Sequence, residues 1–320
     1  MYNFSHAMDI ICTNLRKEGF LRMSQGKHLP SILVKHHKNT AGRETEVMPI
    51  PDVVEICMSQ SIGAPCQPLV AKGDYVKVGQ KIGDTEAFVS APIHSSVSGT
   101  VTDITSVRSS MGGMETHIVI ETDKKQEISE EVQIPHIESH ADFVKAVRAS
   151  GMVGLGGASF PTSIKMDPKN LDECTTLVIN GAECEPFITG DNRVMVEDGQ
   201  DVLDGMLLTM KYLNLEKGII GVEENKPDAI ENLNRLIQQN GIDNIEVFKL
   251  QSRYPKGAER VLVYETTGKV MNAGVLPAQL GVILCNVSTI GILGQYFRTG
   301  MPLVQRRITV DGDAVAEPKN

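Results

Sequence analysis

The pattern of this chain changes near residue 125, and that change constrains the fold more than any other feature. From about Pro49 to Asp123 the residues run in short β-type stretches broken by glycine and proline: Val53–Cys57, Tyr75–Val78, Ser98–Val101 and His117–Ile120. Turns every eight to twelve residues or so between such runs predict a small sandwich or barrel. The stretch Lys72–Gly83 reads as a hairpin, with Gly73-Asp74 turning before it and Gly79 turning within it. A charged segment with little apolar periodicity, 126–139, reads as a linker.

Beyond the linker, helix and strand patterns alternate. Asp142–Arg148 is helical, with Phe143, Val144 and Val147 on one face. Thr176–Asn180 is a continuous apolar run, as expected of a strand buried on both sides. Asp201–Leu213 places Val202, Met206, Met210 and Leu213 at helical spacing, and Gly218–Val222 is the next strand. Pro227 suits the first turn of a helix whose stripe is Ile230, Leu233 and Ile237 and whose stop is Gly241. Ile245–Leu250 and Val282–Leu284 return to strand. Such alternation predicts a mostly parallel sheet covered on both faces, with any ligand beyond the carboxyl ends of its strands.

Composition narrows the function. Against 31 basic residues stand 40 acidic ones, a net charge of −9. Nucleic acid is therefore not the expected partner, because phosphate binding needs a clustered basic face. No window approaches the roughly 20 apolar residues that span a bilayer, and the first ten residues lack the flanks of a secretory signal. A cytoplasmic chain that does not insert into a membrane is expected. Cys12, Cys57, Cys66, Cys174, Cys184 and Cys285 include no C-x-x-C pair, so neither an iron–sulfur nor a structural zinc site is expected here. The adjacent His36 and His37 read as surface residues.

Two loops carry chemistry. Gly154-Leu155-Gly156-Gly157-Ala158-Ser159-Phe160-Pro161 leads to Lys165. Its glycines let backbone approach a ligand and turn N–H groups toward oxygen atoms. The loop follows a helix rather than a strand, so it is not the dinucleotide fingerprint, and a tight surface turn explains the glycines equally well. Asn180-Gly181-Ala182-Glu183-Cys184-Glu185-Pro186 directly follows a buried strand. There a carboxylate can accept from ribose hydroxyls and an amide can bond a ring edge. Alternatively, the segment is an acidic helix entry with Asp191 capping the helix that follows. Farther on, Asn286–Thr289 opens a helix whose free N–H groups suit a phosphate.

These residues resemble known families. Lys72–Gly83 with Ala91-Pro92 and Val97–Val101 looks like a barrel-sandwich hybrid of the lipoyl and biotinyl type. Those carriers present a modifiable lysine where this chain has Thr85–Ser90, with no lysine, so a structural or docking role is expected. The two loops together resemble the flavin-binding core of the RnfC family of the Rnf electron-transport complex and of the flavoprotein subunit of respiratory complex I. Tyr254–Glu259 resembles the third segment of that flavin site, and Pro277–Gly281 with Cys285–Thr289 the fourth.

The resemblance implies an α/β fold: a Rossmann-like, mostly parallel flavin domain preceded by a small all-β barrel-sandwich hybrid. It implies FMN held by Gly154, Gly156, Gly157, Lys165, Asn180, Glu183, Gly257, Asn286 and Thr289. NADH would meet Phe160, Glu185 and Glu259. No side chain is required as a catalytic acid or base, since the flavin does the redox chemistry. The expected activity is that of an NADH-linked flavin oxidoreductase passing electrons to 4Fe-4S clusters outside this chain. Partners would be other electron-transfer subunits, membrane-embedded ones among them, and a ferredoxin-like domain or protein, which would make the chain peripheral to the cell membrane. A relative that donates electrons to a cobalamin or amino-acid reductase, and a docking scaffold that has lost flavin, stay open as alternatives.

The implied boundaries are an extension at 1–25, the hybrid domain at 26–125, the linker at 126–139 and the FMN/NADH domain at 140–303. The start of a truncated β-grasp domain follows at 304–320, with a first hairpin over 306–315. Departures from the family are Ser159, where glycine is usual, and Gly26–Pro30, which matches only part of a Gly-Gly-x-His-Pro-Pro pattern. Asp9–Lys17 reads as an added helix.

Overall fold

A computed structural model of the chain describes residues 31–110 and 112–320. The expected extension over 1–25 with its helix at Asp9–Lys17, the Gly26–Pro30 motif and Cys12 lie outside these residues.

The β-type runs form seven strands: β1 (Val53–Cys57), β2 (Gln67–Pro68), β3 (Tyr75–Val76), β4 (Lys81–Asp84), β5 (Ile93–His94), β6 (Gly99–Arg108) and β7 (Met114–Thr122). They make two antiparallel sheets, one in the order β1-β7-β6-β3 and one in the order β2-β4-β5. Between them sit Met58, Val76, Ile82, Val101, Ile118 and Ile120, all buried. The expected hairpin over Lys72–Gly83 does not form. Tyr75 and Val76 pair with Thr100 and Gly99 of β6, whereas β4 pairs with β2 and β5. The chain crosses from one sheet to the other at Gly79 (φ 82°), so Val76 and Ile82 enter one core from opposite walls. Alternation shows which face of a run is buried but not which strand it pairs with.

The later elements are α1 (His140–Ala149), α2 (Thr162–Lys165), β8 (Thr176–Asn180), α3 (Gly190–Glu197), α4 (Gly199–Leu213), β9 (Lys217–Glu223), α5 (Pro227–Gln239), β10 (Ile245–Leu250), α6 (Glu259–Thr267), β11 (Val282–Asn286) and α7 (Val287–Thr299). Ser139 begins α1 with a capping box shared with Asp142, and Pro227 lies in the first turn of α5, both as the residue types favour. The four strands form a parallel sheet in the order β10-β9-β8-β11. Leu177, Ile179, Ile220 and Ile283 face a core with α4 and α7, while Val178, Val282 and Leu284 face α6 through Leu262 and Val263. Burial on both faces explains why β8 is written as an unbroken apolar run.

Helices α4 and α7 touch backbone to backbone. A Cβ on Gly205 would lie 2.1 Å from the Ile290 carbonyl oxygen, and one on Gly294 would lie 2.1 Å from that of Asp201. Arg148 of α1 ties this half of the chain to β4, donating from Nη2 to Asp84 Oδ1 at 2.8 Å. Of the expected hairpin over 306–315, only Val310 pairs, and its partner is Lys319. Arg307 holds this segment elsewhere, against Asp198 (2.7 Å) and Glu197 (2.8 Å). Among the described residues no helix is long and apolar enough to cross a membrane.

Candidate functional site

The parallel register sets the site. Asn180 ends β8 directly beside Asn286 at the end of β11, so the loops after both strands open at one edge of the sheet. That edge carries a cleft of about 410 Å³, walled by Leu155-Gly156, the Asn180–Glu185 loop, Tyr254–Ala258 and the segment Arg306–Thr309. It lies where ligands of open α/β sheets bind, and its size falls within the usual range for small-molecule sites.

The glycine loop closes on itself through Gly154 N–H, which donates to Phe160 O at 2.9 Å, and it docks on α7 through Leu155 N–H and Thr289 Oγ1 at 2.9 Å. Gly156 admits no side chain: a Cβ there would lie 2.8 Å from both Cβ and Nδ2 of Asn286. Gly157 faces open space. Ser159 adopts φ 51°, the left-handed region in which a glycine would be unstrained. Asn180 joins the second loop to the third: its Nδ2 donates to Gly257 O at 2.9 Å and its Oδ1 accepts from Ala182 N–H at 3.0 Å. A Cβ on Gly257 would approach Ala182 O and Cys184 Sγ at 3.4 Å. Its neighbour Lys256 turns away into a buried ion pair with Glu265.

A buried charge cluster lies under the second loop. Glu183 accepts from Asp191 N–H (2.7 Å) and Asn192 N–H (3.2 Å), so this distant carboxylate, not Asp191, satisfies the start of α3. Asp191 is no cap; its carboxylate faces α7, where Asn286 Nδ2 donates at 2.7 Å and Ser288 Oγ also donates. Lys226 pairs with Glu223 at 2.7 Å and stands 3.9 Å from Glu183. Lys38 donates from Nζ to the carbonyl oxygens of Glu183 (2.7 Å), Glu185 (2.8 Å) and Ile188 (2.7 Å), which pins the loop.

With every group ionised, the carboxylates of Glu183, Asp191 and Glu223 would exceed the ammonium groups of Lys38 and Lys226 by one charge. Burial, and then repulsion from Asp191, pushes the Glu183 carboxyl up to about 8 despite Lys226 and Lys38. Burial raises Asp191 as well, opposed by Ser288 and Asn286. Burial and then Lys226 lower the Lys38 ammonium, opposed by Glu183, Glu223 and Glu185. Cys184 is likewise pushed up to about 11, chiefly by burial, so it rests as a thiol.

Of the residues singled out from sequence, Gly156, Asn180, Glu183, Glu185, Gly257 and Asn286 line the cleft. Gly154 and Gly157 belong to the glycine loop and Thr289 to the first turn of α7, all three outside that lining. Lys165 is outside the lining and donates from Nζ to Leu284 O at 3.3 Å. Phe160 is half-buried and Glu259 opens α6; neither is in the lining. Tyr254, which begins the third segment expected of the site, lines the cleft, whereas sequence reasoning missed Asp191 as a lining group, along with Arg306 and the loop-pinning Lys38. No spacing rule marks these residues, because their partners lie tens to hundreds of positions away.

Comparison with known proteins agrees with this geometry. Residues 22–125 match the RnfC barrel sandwich hybrid domain, and residues 147–293 match the Nuo51 FMN-binding domain. The RnfC-type component of the proton-translocating ferredoxin:NAD(+) oxidoreductase complex of Clostridium ljungdahlii is 41% identical over 88% of this chain and 62% of its own length. Its Na(+)-translocating counterpart from Acetobacterium woodii is 42% identical over 84% of this chain and 61% of its own length. The chain is similar to RnfC-family proteins across both of its halves. A further relative, the corresponding component of the ion-translocating oxidoreductase complex of Rhodobacter capsulatus, is 34% identical over 89% of this chain and 56% of its own length. The chain thus spans about three fifths of the length of the RnfC relatives it matches.

The cleft suits a flavin mononucleotide in volume and in donor set. Gly156 and Gly257 bring bare backbone to its walls, Asn180 stands at a strand end, and α7 opens toward it at Asn286 and Ser288. Asp191 already takes the side-chain hydrogen bonds of Asn286 and Ser288.

Proposed function

We propose that this RnfC-like chain holds FMN in the cleft at the edge of its parallel sheet and receives reducing equivalents there from NADH. The observation that carries this reading is the convergence of the glycine loop, Asn180, Gly257 and Asn286 on one cleft within the segment matched to the Nuo51 FMN-binding domain. Gly156 packs against Asn286 and Gly257 against Ala182 and Cys184, so both present bare backbone in the cleft wall, and Asn180 and Glu183 fix the loop that faces it. Because Asp191 occupies the side chains of Asn286 and Ser288, the phosphate is left to the backbone N–H groups at the start of α7 and to the Arg306 guanidinium. Gly154 and Thr289 would brace the glycine loop through their hydrogen bonds with Phe160 and Leu155, and Gly157 and Lys165 would contact the flavin as the family resemblance implies.

On the nicotinamide side, Glu185 faces the cleft, and Phe160 and Glu259 flank the loops that frame it. Bound FMN supplies the capacity to take two electrons as hydride and to release them singly, which no side chain here can do. The chain's own residues position the reactants.

The same reading extends to the whole protein. Residues 26–125 would form a hybrid domain that docks partners, 126–139 a linker, 140–303 the FMN/NADH domain and 304–320 the start of a β-grasp domain. The curated relatives are longer than this chain, and 4Fe-4S clusters in such a further part would take electrons from the flavin. The partners would be other subunits of an ion-translocating oxidoreductase, some membrane-embedded, with ferredoxin at the far end and this chain peripheral to the membrane.

The test is anaerobic: FMN-loaded protein is mixed with NADH and the flavin absorbance is followed. Bleaching by NADH supports the reading. Bound flavin that NADH leaves oxidised would overturn the nicotinamide half and favour a relative serving another reductase. Failure to take up FMN would favour a docking scaffold.

A further inference from the structure

The sheet of β1 and β7 carries a polar cluster that the cleft does not use. Cys57, the last residue of β1, lies directly opposite His117 of β7 in the antiparallel register. Glu115 precedes His117 by two residues and therefore projects from the same face. Ile56, Ile118 and Ile120 point the other way, into the core. Strand pairing thus gathers a thiol, an imidazole and a carboxylate on the outer face, with ligand atoms all within 4.8 Å of one another and each residue partly buried.

Their surroundings prepare them for a cation. Ser59 N–H donates to Cys57 Sγ at 3.3 Å, a contact that favours thiolate, and Glu115 Oε2 stands 3.7 Å from the same sulfur. Burial nevertheless raises the Cys57 thiol, opposed by Ser59 and reinforced by Glu115, so a bound cation would have to displace its proton. His117 Nδ1 is buried with no hydrogen-bond partner, and Glu55 Oε2 lies 3.5 Å from it. Glu55 projects from the same face two residues before Cys57. With Nε2 as the ligand atom, Glu55 would stand at the other ring nitrogen, where a carboxylate orients a ligating imidazole.

We propose that Cys57, Glu115 and His117 bind a divalent transition-metal ion of the zinc type. Thiolate and imidazole donors select such ions over magnesium or calcium, and three protein ligands leave a fourth position open to water or to a partner's side chain. The site lies on the all-β half of the chain, and none of its residues lines the cleft. The expectation of no metal site rested on cysteine spacing along the chain. A set assembled across two strands by register leaves no such spacing to find.

The experiment uses the full chain, stripped with a chelator and titrated with cobalt(II) as a spectroscopic stand-in for zinc. One ion per chain is expected, with a thiolate-to-metal charge-transfer band that zinc displaces. Cys57→Ser should abolish the band, and His117→Gln or Glu115→Gln should weaken binding by about 10- to 100-fold or more. Far-UV circular dichroism of the metal-free variants checks the fold, which their outer-face positions should preserve. Should Cys57→Ser fail to fold, zinc protection of Cys57 from alkylation in the unaltered chain reads the same contact. Absence of binding, a band that persists in Cys57→Ser, unchanged affinity in Glu115→Gln, or alkylation of Cys57 at the same rate with and without zinc would each overturn the proposal.

Discussion

Two residues in the cleft region are held in states they would not choose alone. Ser159 sits at φ 51°, and a side chain in the left-handed region costs on the order of 1 kcal/mol. Ser159→Gly should therefore raise stability by up to about 1 kcal/mol, less whatever glycine loses in chain entropy, as read from urea denaturation. A fall in stability would mean that the serine side chain makes a compensating contact. Glu183 is the second case. Its carboxyl is shifted from an ordinary 4.5 to about 8, first by burial and then by Asp191. Below 4.5 the folded and unfolded chains both carry its proton. Between 4.5 and 8 the unfolded chain releases a proton that the folded chain keeps, so this group's contribution to stability is lost as pH rises through that window and levels off above it. From about pH 5 to 8 the denaturation midpoint of the unaltered chain should decline relative to that of Glu183→Gln. Equal slopes would show that Glu183 is ionised throughout.

Among the elements, the crossing of α4 and α7 matters most for the site, because α7 carries Asn286, Ser288 and Thr289 at its start. The crossing depends on Gly205 and Gly294, where an added Cβ would meet backbone at 2.1 Å. A backbone atom cannot swing aside as a side chain can, so Gly294→Ala should cost at least about 2–3 kcal/mol. It should also weaken FMN binding, measured by flavin fluorescence, by displacing the start of α7. Gly157→Ala, which faces open space, is the control and should leave stability within about 0.5 kcal/mol. Lys38 acts at the same scale by holding three carbonyl oxygens of the Glu183–Ile188 loop. Lys38→Met should loosen that loop and raise the FMN dissociation constant, with little change in the β-type half of the chain.

Across the whole molecule, the sequence was legible where burial writes a simple pattern. Val53–Cys57, Thr176–Asn180 and Ile245–Leu250 are strands with the ends that their apolar runs imply, and Asn286 opens a helix as its residue type favours. Pairing was less legible. Tyr75–Val76 and Lys81–Asp84 read as one hairpin but belong to different sheets, because two short alternating runs around a glycine look the same in either arrangement. At the cleft, loops that follow strands could be placed from order alone. The Asp191–Asn286–Ser288 contact, the reach of Lys38 across the loop and the Cys57–His117 pairing join residues far apart in the chain, and nothing local announces them. Flavin binding in the cleft those contacts frame is tested most directly by equilibrium titration of the purified chain with FMN, followed by quenching of flavin fluorescence. Saturable binding of one FMN per chain is predicted, weakened at least about tenfold in Gly156→Val, whose side chain would strike Asn286. A folded chain that takes up no FMN, or a Gly156→Val variant that binds it as tightly, would contradict that prediction.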